Sequence, residues 1–94
     1  MGAESKVIDK IKEFVTAKGG KVIKIHQTAM SELGIPDLVL MTPEHGMMMV
    51  EVKARGKKPT PIQLQRLKEI NRAGGIAFWC DSLKVFEEQY DITL

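Results

Sequence analysis

Thiols and long apolar runs are both scarce in this chain of 94 residues, and each scarcity closes off a class of protein. The single cysteine, Cys80, excludes an internal disulfide and suits a reducing, cytoplasmic setting. No apolar stretch approaches the roughly 18 residues of a membrane helix. The N-terminal segment has no apolar core of the signal-peptide kind. Net charge is only +2, so composition alone does not announce a polyanionic partner. There is no internal repeat, low-complexity segment or inter-domain linker. One small domain spanning residues 1–94 is the expectation. A domain of that size has a limited core, so burial at a subunit interface would help it.

What is present falls into seven short segments. From Glu4 to about Ala17 the apolar residues Val7, Ile8, Ile11, Phe14 and Val15 recur at the helical period. Gly19 and Gly20 then supply the left-handed stop that helix ends favour. Lys21 to Ile25 is short and β-branched, a strand pattern. Residues 26–35 have no period and read as a loop. Pro36 belongs at a strand's opening, and Asp37 leads into the run Leu38–Met41. A turn over Thr42–Gly46 joins that strand to the next, Met47–Lys53, as an antiparallel hairpin. Thr60 followed by Pro61 is a helix start, and Leu64, Leu67, Ile70 and Ala73 mark its apolar stripe. Gly74 and Gly75 end that helix. Ile76–Cys80 is a fourth strand, and a last helix runs from Asp81 or Ser82 to about Tyr90. The order αβββαβα predicts an α/β fold: a small mixed sheet flanked by helices.

Met47–Lys53 stands out because its apolar run ends in opposite charges, Glu51 and Lys53. Strand residues two apart share a face, so this carboxylate and ammonium lie together while Val50 and Val52 point the other way. Counting back from the turn pairs Met41 with Met47, which sets Asp37 opposite Glu51. Cross-strand partners lie about 5 Å apart at Cβ, close enough to share a divalent cation. Oxygen ligands of this kind suit Mg²⁺ or Mn²⁺, with water completing the shell. The bland reading is a strand-end salt bridge, and an acid-x-Lys triplet recurs by chance about once per hundred positions. A Pro-Asp opening, a short hairpin and an apolar lead-in occurring together are much harder to reach by chance.

Gly34-Ile35-Pro36-Asp37 followed by Glu51-Val52-Lys53 resembles the core motif of the PD-(D/E)XK nuclease superfamily, and more narrowly the VRR-NUC (virus-type replication-repair nuclease) family. Gly19-Gly20, Lys24, Thr60-Pro61-Ile62-Gln63 and Gly74-Gly75 extend the likeness across nearly the whole chain. The resemblance implies a restriction-endonuclease-like core and a nuclease dependent on Mg²⁺ or Mn²⁺. Asp37, Glu51 and the backbone carbonyl of Val52 would hold the metal, and Lys53 would be the catalytic lysine. Glu4 matches the acid that such nucleases often carry on their first helix; its alternative role is a helix N-terminal acid favoured by the dipole. Gln63 matches the family's glutamine after the catalytic strand.

Lys53, Arg55, Lys57 and Lys58 crowd into six residues directly after that strand, a pattern suited to DNA phosphates. Lys24 either faces the same site or snorkels to solvent. His26 and His45 have no partner at a useful spacing and read as ordinary loop histidines. Met30 and Met47–Met49 read as core or interface filler, and Trp79 and Cys80 as strand-core residues. The function expected from the resemblance is cleavage of branched double-stranded DNA by a homodimer that resolves four-way (Holliday) junctions. Such a protein would be phage or prophage encoded, working in a bacterial cytoplasm. A flap- or end-processing nuclease, a silent DNA-binding module of the same fold, and an RNA-cutting enzyme are the alternatives.

Overall fold

The computed structural model describes residues 2–26 and 33–92. Its elements follow the expected order: α1 (Ala3–Ala17), β1 (Lys21–Lys24), β2 (Leu38–Thr42), β3 (Gly46–Val52), α2 (Pro61–Arg72), β4 (Ala77–Cys80) and α3 (Leu83–Ile92). Most boundaries fall within a residue or two of the sequence reading. β1 stops at Lys24, although the Ile25 N–H still donates to the Asp37 carbonyl at 2.7 Å. Met30 lies outside the described residues.

The four strands stand in the order β1-β2-β3-β4, antiparallel except for the parallel pair β3-β4. The helix between β3 and β4 permits that parallel return. Met41 pairs with Met47 and Leu38 with Val50, which is the register counted from the turn. β3 is central, with hydrogen-bonded neighbours on both sides.

One face of the sheet carries Leu38, Leu40, Met48, Val50, Val52 and Cys80, all buried against Val7, Ile8, Ile11 and Val15 of α1 and Phe86 and Tyr90 of α3. Phe14 meets both Phe86 and Tyr90 edge-on, with ring centroids 5.6 and 5.3 Å apart. This is the main core, and truncating a fully buried aliphatic such as Ile11 to alanine would cost about 2–5 kcal/mol. The other face is covered differently. α2 packs over β4 with Leu67 and Ala77 buried, while Ile23 on β1 and Met47 on β3 stay exposed. Only one of the three β3 methionines, Met48, is core filler; alternation turns Met47 to the open face.

α2 is held in place by its start. Thr60 accepts from the Gln63 N–H at 3.3 Å, and Gln63 Oε1 accepts from the Thr60 N–H at 2.9 Å, a reciprocal capping box with Pro61 at the first helical position. At α1 the expected glycine stop is present, with Gly19 at φ +83°.

Candidate active site

β2 begins and β3 ends at the same end of the sheet, and the chemistry-bearing residues gather there. A cleft of about 450 Å³ is lined by Glu4, Leu33, Gly34, Ile35, Asp37, Glu51, Lys53 and Gln63. Four elements contribute: the first turn of α1, the segment before β2, the end of β3, and the first turn of α2.

Asp37 immediately precedes β2, and the ladder stops at Leu38–Val50. Pro36, which has no N–H, cannot continue it. The Asp37 Oδ1 instead accepts from the Val52 N–H at 3.3 Å, bracing the carboxylate against the end of β3. N–H and C=O of one strand residue point to the same edge, so the Val52 carbonyl also faces the Asp37 side. Lys53 follows the last strand residue. Its own N–H turns the opposite way and donates to the Cys80 carbonyl at 2.9 Å, tying β3 to β4 just behind the site.

Glu51 is only 4% exposed, and Lys53 Nζ lies 3.4 Å from its Oε2. The pair anticipated as a salt bridge is therefore real, yet it does not satisfy the carboxylate. Burial, then repulsion from Asp37, pushes the Glu51 carboxyl from the usual 4.5 up to about 7, against the opposing pull of Lys53. Glu4 belongs to the same cluster. Its carboxyl is also raised, first by burial and then by a hydrogen bond to Asp37. Two carboxyl groups hydrogen-bond only by sharing a proton, so three acids here compete for less positive charge than they need. Lys24, though exposed, lies near enough to draw Glu4 down electrostatically.

A hard divalent cation suits this donor set. Among the described residues, no three His, Cys, Asp or Glu side chains close around a common point. A cation would therefore rest on two carboxylates, a backbone carbonyl and water, the open arrangement Mg²⁺ tolerates. Gln63 lines the cleft with its oxygen already used in the capping box, leaving its amide N–H groups as the available function.

Other residues are placed elsewhere. Arg55, Lys57 and Lys58 are exposed on the loop after β3 and do not line the cleft. That loop is nonetheless fixed, since the Gly56 N–H donates to Asp81 at 3.0 Å. His26 is exposed. His45 is not an ordinary loop histidine: it stacks on Tyr90 with ring centroids 4.0 Å apart, and its Nε2 lies 2.7 Å from the Tyr90 carbonyl. That contact spans 45 residues of chain, so no local spacing announces it. Cys80 is fully buried, and burial pushes its thiol up to about 12, which leaves it inert as a nucleophile. A hollow of about 260 Å³ at the opposite end of the sheet, lined by Gly19, Gly20, Lys21, Met41, Thr42 and Pro43, holds neither carboxylate nor histidine.

An α/β fold with a carboxylate-lysine cleft at a strand end defines the class, and comparison with known proteins sharpens it. The VRR-NUC domain matches residues 4–84, and the chain belongs to that nuclease family. A solved structure described as a VRR_NUC domain is 30% identical, with a TM-score of 0.82 over 97% of both chains. A second, described as a VRR_NUC domain protein, is 18% identical with a TM-score of 0.67, over 96% of this chain and 88% of that one. The fold also resembles Hjc of Archaeoglobus fulgidus, a Holliday junction resolvase from an archaeal hyperthermophile. That match is 18% identical with a TM-score of 0.59, over 80% of this chain and 64% of the other. No curated protein matches the chain. Membership of a nuclease family implies phosphodiester hydrolysis.

Proposed function

We propose that the protein is a Mg²⁺- or Mn²⁺-dependent endonuclease that hydrolyses phosphodiester bonds of branched DNA. The observation that carries this reading is the convergence of Asp37, Glu51, Lys53, Glu4 and Gln63 on one cleft from four separate elements. Asp37, Glu51 and the Val52 carbonyl would hold the cation. Bound there, it would acidify water and neutralise charge on the phosphate. Lys53, fixed beside Glu51, orients the attacking water or steadies the negative charge that develops on the phosphate. Glu4 positions water or cation from the α1 side. Gln63 donates an amide N–H to substrate or water, because its oxygen is committed to the helix cap. Lys24, Arg55, Lys57 and Lys58 bind the DNA backbone beyond the cleft.

Exposed Ile23 and Met47, on the face away from α1, support a homodimer. Two clefts in one dimer suit the paired cuts of a four-way junction, the substrate of the archaeal resolvase with the similar fold. A phage or prophage enzyme in a bacterial cytoplasm fits this reading. Among the described residues no helix is long and apolar enough to cross a membrane. Incubation with a mobile four-way junction and Mn²⁺ tests the proposal, with paired symmetric incisions as the expected outcome. Cutting only flaps or ends would remove the resolvase label. Equal binding by wild type, Asp37→Ala and Lys53→Ala, with no cutting by any, would leave a DNA-binding module. Parallel RNA substrates test the sugar preference.

A further inference from the structure

We infer that Leu33 is an apolar wedge that contacts unstacked bases beside the phosphate being cut, and so sets the preference for branched over linear DNA. The inference rests on the nuclease reading above. Leu33 lines the same cleft as the carboxylates yet is 76% exposed, the most exposed of the chain's large apolar side chains among the described residues. Its main chain is fixed. The Leu33 carbonyl accepts from Arg66 Nε at 2.9 Å, and Arg66 is held in turn by Glu69 at 3.0 and 3.2 Å. The next residue, Gly34, has φ +80°, and a Cβ there would sit 3.0 Å from the Ile62 carbonyl oxygen. The turn therefore lies flat on the first turn of α2, where Ile62, 42% exposed, adds further apolar surface. The result is an aliphatic side chain on a braced support, at the rim of a site built for a charged ligand.

Intact duplex offers that rim little. Its outer surface is phosphate and sugar, and the flat apolar faces of its bases are covered by their neighbours. Those faces become available at a branch point, mismatch or end without the unstacking cost that an apolar wedge must meet when it enters intact duplex. A wedge next to the cutting carboxylates thus favours DNA whose stack is already broken, and it does so without reading sequence.

The test uses the full chain with a four-way junction and a linear duplex sharing one scissile sequence. 2-Aminopurine is placed at the branch, and its fluorescence is read in a Lys53→Ala background that binds without cutting. Leu33→Ala is expected to lower the junction-over-duplex cleavage ratio roughly tenfold, as base-contact truncations do, and to abolish the fluorescence rise on binding. Leu33→Met, which keeps apolar reach, is expected to retain both. Unchanged ratio and fluorescence in Leu33→Ala would overturn the wedge while leaving the nuclease intact. A loss that follows thymine content would assign Leu33 to methyl-group contact instead. A fall from dimer to monomer on size-exclusion would assign it to a subunit contact. If wild type cuts no nucleic acid with Mg²⁺ or Mn²⁺, the nuclease reading fails and the wedge with it.

Discussion

The β2-β3 hairpin carries a polar cluster at each end, and the two are built on opposite terms. At the turn, the Tyr90 hydroxyl lies 2.9 Å from Thr42 Oγ1 and 2.8 Å from Glu44 Oε1, and Lys18 Nζ sits 3.4 Å from the same Glu44 oxygen. The hydrogen bond from Tyr90, and then Lys18, hold the Glu44 carboxyl below its usual range. At the open end, among the described residues, Glu4, Asp37 and Glu51 draw only on Lys53, paired with Glu51, and the exposed Lys24, and Glu4 and Glu51 are both pushed upwards. The same hairpin thus closes one end with a charge that is content to be ionised. It leaves at the other a buried charge deficit that a cation would resolve. The contrast lies in the carboxylates: a paired, ionised one holds structure together, while buried ones short of positive charge mark where a cation belongs.

The largest expected effect separates the two ends by activity. Asp37→Asn or Lys53→Ala should reduce cleavage by about 10³-fold or more, as loss of a ligand or charge-stabilising group does. Glu44→Gln at the turn should leave the rate unchanged, and gel assays of the three variants on one substrate check the contrast.

Stability should invert it. A carboxyl raised in the folded state favours folding while protonated, so metal-free protein loses stability as pH climbs from 4.5 through about 7. Glu51→Gln removes the penalty, and denaturant melts at pH 8 in a chelator should show a gain of roughly 2 kcal/mol, with the pH slope flattened. Tyr90→Phe should do the reverse. It removes the buried hydroxyl contact to Thr42, costing about 1–2 kcal/mol with the cleavage rate intact. The smallest effect is at the α2 cap. Thr60→Ala should cost about 1 kcal/mol and slow cleavage only a few-fold, by loosening the box that orients Gln63.

Much of the open end was legible in the sequence because its information is local. The short turn between Thr42 and Gly46 sets the hairpin register, the register carried one pair past Leu38–Val50 sets Asp37 opposite Glu51, and strand alternation puts Lys53 beside Glu51. Thr60-Pro61 announced its helix for the same reason. Glu4 was ambiguous because an acid at a helix start has a local explanation of its own; only the packing of α1 across the sheet brings it to Asp37. The turn-end cluster was not legible at all. Tyr90 reaches Thr42 and His45 across some 45 residues, and nothing in either stretch marks the meeting. The basic loop shows the converse. Arg55, Lys57 and Lys58 lie close to the end of β3 in sequence, but they stand outside the cleft.

The contrast between the two ends predicts cation binding at one of them and none at the other. Thermal melts of wild type, Asp37→Asn and Glu44→Gln at pH 8, with and without Mn²⁺, measure it without reference to any substrate. At about a hundredfold excess over the dissociation constant, Mn²⁺ should raise wild type and Glu44→Gln by about 10 °C or more. Asp37→Asn should barely move. A wild type whose melting temperature ignores Mn²⁺, or an Asp37→Asn variant that rises as far as wild type, would contradict the account.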